Sequence, residues 1–222
     1  MFYTIFKLPR SGSTRLAKYL DRAAGVGCVH EILNGVNGAD YDAEIRRRLD
    51  ANPDACSSMG FSLNPFRHAI ETVDFFDPRP LVSAYGGGLA ISLTRQNILH
   101  QAVSYWLSRQ LKMWPGDADA ARAPALKAYV EQGGVEVPVA SIRKICRRLS
   151  SQNDALLEFS RAFAGHHGLD HMEITYEGLY QAPNPDLQRL ESGLGVTLDP
   201  ELVAPSGKVL PPLEDWIANY DQ

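Results

Sequence analysis

The chain opens on an apolar run, Phe2-Tyr3-Thr4-Ile5-Phe6, closed by Lys7. Its length and its aromatic and β-branched content predict a strand over Phe2–Lys7. Small residues follow, and then Leu16, Leu20 and Ala23-Ala24 recur at helical spacing, predicting a helix from Arg15 to Ala24 that stops at Gly25-Val26-Gly27. Cys28 to Leu33 is a second short run, broken at Asn34-Gly35. Tyr41 to Asp50 reads as an exposed helix carrying Arg46, Arg47 and Arg48, Met59 to Leu63 as a strand, and Pro65 to Val73 as a helix. Leu89 to Thr94 is apolar after Gly86-Gly87-Gly88, which suits a buried parallel strand. Gln96 to Lys112 is predicted helical, with Ala102, Val103, Tyr105, Trp106 and Leu107 inward. Ile142 to Ala164 forms a long helix with a stripe of Ile142, Ile145, Leu149, Leu156 and Phe163. A strand at Met172–Thr175 and a helix at Asp186–Leu194 complete the order. Strands alternating with helices predict an α/β fold: a single domain over 1–222 with a mainly parallel sheet flanked by helices.

One stretch breaks this rhythm. Trp114 to Pro138 is interrupted by Pro115, Gly116, Pro124, Gly133, Gly134 and Pro138, with room for a short helix at Ala125–Glu131. That is too much irregular chain for a connector, and a lid or acceptor-site loop at 114–138 is the expectation. Its Trp114 and Tyr129 are suited to stacking on a sugar or another ring, or to forming the lid's own core.

Composition changes the picture only by exclusion. The 222 residues are 45% apolar and 22% charged, ordinary for a soluble globular protein, with room for one well-buried core. A net charge of −4 argues against a broad nucleic-acid-binding surface but permits a local basic pocket. Cys28, Cys56 and Cys146 are odd in number and lack metal-ligand spacing, which favours a reduced intracellular chain. No apolar stretch approaches membrane-spanning length, and Phe2–Phe6 is too short for a signal-peptide core. The expectation is a cytoplasmic protein without membrane or nucleic-acid partners.

The candidate chemistry begins between the first strand and helix. Leu8-Pro9-Arg10-Ser11-Gly12-Ser13-Thr14 joins a cation, hydroxyls and a helix N-terminus, a build that presents backbone N–H groups to an anion such as phosphate. Arg10 adds a planar fork suited to phosphate or sulfate. The G-x-x-x-x-G-K-[ST] pattern is absent, so no Lys-Ser or Lys-Thr pair reaches outer phosphates and holds Mg²⁺. The loop reads as a phosphate cradle without metal-dependent ATP chemistry.

Pro9-Arg10-Ser11-Gly12-Ser13-Thr14 resembles the 5′-phosphosulfate loop of sulfotransferases that use 3′-phosphoadenosine 5′-phosphosulfate (PAPS), with Arg10 where the commoner form has lysine and Arg15 where Trp or Leu is usual. Arg95-Gln96-Asn97-Ile98-Leu99-His100-Gln101-Ala102-Val103-Ser104 is similar to the family's 3′-phosphate motif, and its form is most like the bacterial carbohydrate and trehalose sulfotransferase branch. Ile174-Thr175-Tyr176-Glu177-Gly178-Leu179, continued by Leu194-Gly195-Val196, resembles the family's Tyr-Glu-x-Leu stretch. The resemblance implies a P-loop-NTPase-like architecture, PAPS as co-substrate with 3′-phosphoadenosine 5′-phosphate (PAP) as product, and no required metal. It implies a PAPS site of Arg10, Ser11, Gly12, Ser13, Thr14, Arg95 and Ser104, with Tyr176 near the nucleotide and Lys208 approaching the 3′-phosphate by analogy with a basic segment of relatives.

The implied reaction moves a sulfuryl group in line onto a hydroxyl of a small-molecule or carbohydrate acceptor, and it needs a base. Cys28-Val29-His30-Glu31-Ile32-Leu33-Asn34 looks like the family stretch in which a glutamate faces the acceptor, so Glu31 is the expected base and His30 the alternative. Arg10 would meet the charge that grows on the leaving side. Relatives often carry lysine where this chain has Ser62, so charge must come from elsewhere or the chemistry differs. Two other readings stay open: a P-loop-like small-molecule kinase, and a non-catalytic binder of a 3′-phosphoadenosine nucleotide. His166, His167 and His171 lack the partners of a metal site, and Asp215–Tyr220 resembles a closing helix that packs.

Overall fold

β1 (Phe2–Lys7) is buried along its whole length, the mark of a strand covered on both faces. The computed structural model describes residues 1–36, 40–51, 56–110, 134–180, 184–198 and 217–219. Around β1 lie β2 (Val26–Val29), β3 (Ser58–Leu63), β4 (Gly88–Thr94) and β5 (Asp170–Thr175), in the order β2-β3-β1-β4-β5 with every pairing parallel. The chain leaves β1 towards β2 and β3 on one side and later returns to β4 and β5 on the other. The switch in winding direction therefore falls at the carboxyl end of β1, where open α/β sheets leave a crevice for ligands.

The helices are α1 (Ser13–Arg22), α2 (Tyr41–Asp50), α3 (Arg79–Tyr85), α4 (Ile98–Gln110), α5 (Val139–His167), α6 (Tyr176–Tyr180) and α7 (Pro185–Leu194). Two compact units divide the chain, Met1–Gln96 with Gln152–Ala204, and Asn97–Ser151 with Pro205–Gln222. The first contains the whole sheet. Tyr3 and Ile5 of β1 point into a core with Leu16 and Leu20 of α1, Ile91 and Leu93 of β4, and Leu187 and Leu190 of α7. Phe2 and Phe6 point to the opposite face, where Phe2 meets Phe61 and Phe76, and Phe6 meets Phe159 and Phe163 of α5 with ring centroids 5.1–6.0 Å apart. Period-two alternation along one buried strand thus feeds two cores.

The second unit holds α4, the first half of α5 and a bridge between Val135 and Ile217. Asn219 clasps Val137, accepting from its N–H at 3.0 Å and donating to its carbonyl at 2.9 Å. In α5 the guanidinium of Arg148 lies 4.9 Å from the ring centre of Tyr105 on α4.

The strand and helix pattern read from the sequence recurs with shifted ends, and α2 spans the predicted residues. α3 and α6 were not predicted, and three predicted features differ. Pro65–Val73 is not one helix but two 3₁₀ turns, Pro65–His68 and Val73–Phe75, because Ala69 takes a left-handed conformation (φ 50°) that ends the first. Of the glycines read as the end of α1, Gly25 lies in the turn after it at φ 76°, whereas Gly27 lies within β2. A Cβ at Gly27 would lie 2.8 Å from the tip of the Met59 side chain, so a larger residue there would make that methionine shift. The described part of the expected closing helix, Ile217–Asn219, is a bridge and a turn. Most of the irregular segment, residues 111–133, lies outside the described residues, as do Trp114, Tyr129 and Lys208. No described helix is long and apolar enough to cross a membrane.

Candidate active site

Every strand of the sheet ends on a residue of this site or hands one over. Lys7 closes β1, His30 and Glu31 follow β2, Ser62 lies near the end of β3, Arg95 follows β4 and Tyr176 follows β5. Register explains part of this convergence. Val29 pairs with Phe61, so the next residues along, His30 and Ser62, meet.

The loop after β1 is shaped by two left-handed residues, Arg10 (φ 63°) and Gly12 (φ 89°). Gly12 caps α1 without a side-chain hydrogen bond; the Arg15 amide donates to the Gly12 carbonyl at 3.1 Å, and the Ser13 and Thr14 amides before it are left for a ligand. A Cβ on Gly12 would lie 2.6 Å from the Tyr176 ring, and the Tyr180 hydroxyl donates to the Gly12 carbonyl at 3.2 Å. α6 therefore fastens the loop from one side. Arg95 fastens it from another: its Nη1 donates to the Arg10 carbonyl at 3.4 Å and its guanidinium stacks 4.4 Å from the Tyr176 ring centre. Glu177 lies 3.9 Å from Arg95 Nε as an ion-pair partner and accepts from the Gln96 amide at 2.9 Å. Burial pulls the Arg95 guanidinium below its ordinary value, opposed by Tyr176 and Glu177.

Two buried polar atoms here, Ser11 Oγ and Arg95 Nε, have no hydrogen-bond partner among the described residues. Buried donors without partners are uncommon in a folded chain. Arg95 Nε faces Glu177, while Ser11 lies on the loop itself, where an anion would give its hydroxyl an acceptor, so the loop fits a phosphate- or sulfate-type ligand.

Beyond the loop lies a charged group. Lys7 Nζ, 3% exposed, donates to Glu31 Oε1, while Arg67 Nη1 donates to Glu31 Oε2 at 3.0 Å and Arg67 Nη2 to Asn34 Oδ1 at 3.2 Å. Burial lowers the Lys7 ammonium, and Glu31 opposes that shift. Burial alone would raise the Glu31 carboxyl, but Lys7, His30 and Arg67 together hold it below its usual value. Glu31 is thus an ionised carboxylate clasped by two cations. Its backbone is left-handed (φ 49°) and is held by Ser62, whose Oγ accepts from the Glu31 amide at 3.0 Å and whose carbonyl accepts from Ile32 at 3.1 Å.

His30 is engaged through both ring nitrogens, Nδ1 at 2.9 Å from Ser62 Oγ and Nε2 at 3.1 Å from Thr14 Oγ1. Burial, aided by Lys7 and Lys18 and opposed by Glu31, lowers its pKa to about 4. The imidazole is neutral at neutral pH.

Comparison with known proteins places this geometry in a family. The family model of the Stf0 sulphotransferases matches residues 76–216. The chain belongs to this family. A sulfotransferase from Alicyclobacillus acidocaldarius, seen in a crystal structure, is similar over 90% of this chain and 87% of its own, at 13% identity and a TM-score of 0.48. Among curated proteins no relative matches.

In this Stf0 chain the matched segment carries Arg95 and Tyr176, whereas the loop and Glu31 precede it. The structure brings together Arg10, Ser11, Gly12, Thr14, Arg95 and Tyr176 around one loop, with Ser13 opening the helix and His30–Glu31 beside it. Ser104 is buried on α4, in the second unit. Arg15 and Ser62, the two residues that depart from the expected pattern, have local partners. Arg15 stacks 4.6 Å from the Tyr180 ring centre and 5.4 Å from that of Tyr19, and its Nε donates to the Tyr19 hydroxyl. At Ser62, where the resemblance led to a lysine being expected, stands a hydroxyl, and Lys7 on the neighbouring strand and Arg67 bring cations to Glu31 beside it. Sequence reasoning passed over Lys7, Arg67 and Glu177. A lysine closing a strand whose other residues are apolar or the small Thr4 was the one signal able to mark Lys7 as buried.

Proposed function

We propose that this member of the Stf0 family transfers a sulfuryl group from PAPS to a hydroxyl of a small-molecule or carbohydrate acceptor. The observation that carries the reading is the loop after β1: its helix end has no side-chain cap, its Ser11 Oγ is buried with no hydrogen-bond partner among the described residues, and Arg95 Nη1 reaches it at the Arg10 carbonyl. When bound, PAPS supplies an activated sulfuryl group whose bond to the 5′-phosphate oxygen breaks as a bond to the acceptor oxygen forms. The loop amides, Ser11 and Thr14 bind the anion, and Arg10 meets the charge that develops on the leaving oxygen. Arg95, braced by Tyr176 and Glu177, holds the 3′-phosphate. Glu31 takes the acceptor's proton. Its low basicity is no obstacle, because an alcohol oxygen becomes strongly acidic as it bonds to sulfur, and an ionised carboxylate then suffices.

A thermal-shift titration tests the nucleotide half. PAP should raise the melting temperature at concentrations where ATP and ADP do not, because only a ligand of the folded state stabilises it. A preference for ATP that depends on Mg²⁺ would turn the reading towards a kinase. Arg95→Ala should weaken PAP far more than its 3′-hydroxyl analogue, and equal losses would remove Arg95 from the 3′-phosphate. Glu31→Gln, compared per folded enzyme, should leave PAP affinity near wild type and lower turnover roughly 10²–10⁴-fold; unchanged turnover would end its role as base.

A further inference from the structure

Three groups meet outside the steps described so far: Thr14 at the start of α1, His30 after β2 and Ser62 in β3. Their hydroxyls bracket one imidazole at 3.1 and 2.9 Å. The direction in which protons run along this chain follows from the burial of Ser62, which is fully enclosed. Ser62 Oγ already accepts from the Glu31 amide at 3.0 Å. If His30 Nδ1 also donated to it, Ser62 would receive two protons and its own would have no acceptor among the described residues. A buried hydroxyl proton without an acceptor is disfavoured. The satisfied arrangement is the reverse: Ser62 donates its proton to Nδ1, the neutral imidazole carries its hydrogen on Nε2, and Nε2 donates to Thr14 Oγ1. Thr14 has no other hydrogen-bond partner among the described residues, so its own hydroxyl proton is left over.

We propose that His30 is a positioning residue: a one-way hydrogen-bond chain, Ser62 to His30 to Thr14, makes Thr14 an obligate donor towards a phosphate- or sulfate-type oxygen held on the 9–14 loop. The proposal rests on the reading of that loop as an anion site. It gives Ser62 a task in this chain and leaves proton removal to Glu31. It also follows from the topology, since the carboxyl ends of β2 and β3 and the helix after β1 converge here. The neutral state of the ring, maintained by burial and by Lys7, agrees with this order, because a doubly protonated imidazole would also donate to Ser62.

The test has two independent parts. In ¹⁵N-histidine-labelled protein without nucleotide, the ring nitrogens of His30 should show hydrogen on Nε2 and none on Nδ1; hydrogen on Nδ1 overturns the proposal. In PAP titrations, Ser62→Ala and Thr14→Val should each weaken binding roughly tenfold, and the double variant should bind about as the weaker single one does. Losses that multiply overturn the chain. His30→Gln, whose amide donates from nearly the place of Nε2, should retain most of the affinity that His30→Leu loses, and equal loss in both also counts against it. If wild-type protein fails to bind PAP, the nucleotide reading falls, while the ring nitrogens still decide the proton order.

Discussion

At the scale of single residues, Glu31 combines three uncommon conditions: a left-handed backbone, a buried lysine on one carboxylate oxygen and an arginine on the other. The two cations are not equivalent. Arg67 is about half exposed, so solvent screens its contribution, whereas Lys7 is enclosed and depends on Glu31 for counter-charge. Removing either partner therefore has unequal effects. Glu31→Gln leaves an ammonium buried without a counter-charge and should lower unfolding free energy by about 3 kcal/mol in urea denaturation. Lys7→Met leaves Glu31 with Arg67 and with water, and should cost clearly less. The same variant removes the strongest charge holding the Glu31 carboxyl down, so its pKa should rise in a carbon-detected NMR titration. A carboxyl that titrates unchanged in Lys7→Met would mean that Lys7 does not set the charge state of Glu31.

At the scale of elements, the anion loop is a product of what packs on it. Gly12 is needed twice, for its φ of 89° and for the 2.6 Å that a Cβ would leave to the Tyr176 ring. Gly12→Ala should destabilise by roughly 1–3 kcal/mol and weaken PAP binding. Adding Tyr176→Ala should return only the steric part in thermal denaturation, because the backbone strain stays; full recovery would show that φ is not limiting. The elements that make this site were unequally legible in the sequence. β1 and α2 could be read because their patterns are local, an apolar run of strand length and a helical repeat with arginines outward. α3 (Arg79–Tyr85) was missed because none of its residues is fully buried, so no apolar stripe announces it. The glycine-rich end of α1 hid the start of β2, since a glycine within a strand looks the same in sequence as one in the turn before it. The loop and Arg95 carried recognisable motifs. The clasp of Lys7 on Glu31 did not, because it links residues 24 apart through strand order that no local pattern encodes.

At the scale of the whole molecule, these buried groups should give stability a particular shape against pH. His30 has a folded pKa of about 4, against an ordinary 6.5 in the unfolded chain. Between those values the unfolded chain binds the proton and the folded one does not, so acidification favours unfolding. The stability this group retains is full above pH 6.5 and is lost as pH falls towards 4. A shift of that size corresponds to about 3 kcal/mol if Lys7, Lys18 and Glu31, the charges acting on the ring, keep their states. His68 and His171 are also lowered, mainly by burial, and act in the same direction. The carboxyl of Glu31 is lowered as well, so its contribution is present above the ordinary value of 4.5 and is lost only below that. Two stages of acid destabilisation should result, a histidine stage from 6.5 to 4 and a carboxylate stage beneath it. Urea unfolding at a series of pH values measures both. In His30→Gln the first stage should shrink by the His30 share while the second persists. A first stage of unchanged depth in that variant would show that His30 is not held neutral by its surroundings, and with it would go the fixed direction of the Ser62–His30–Thr14 chain.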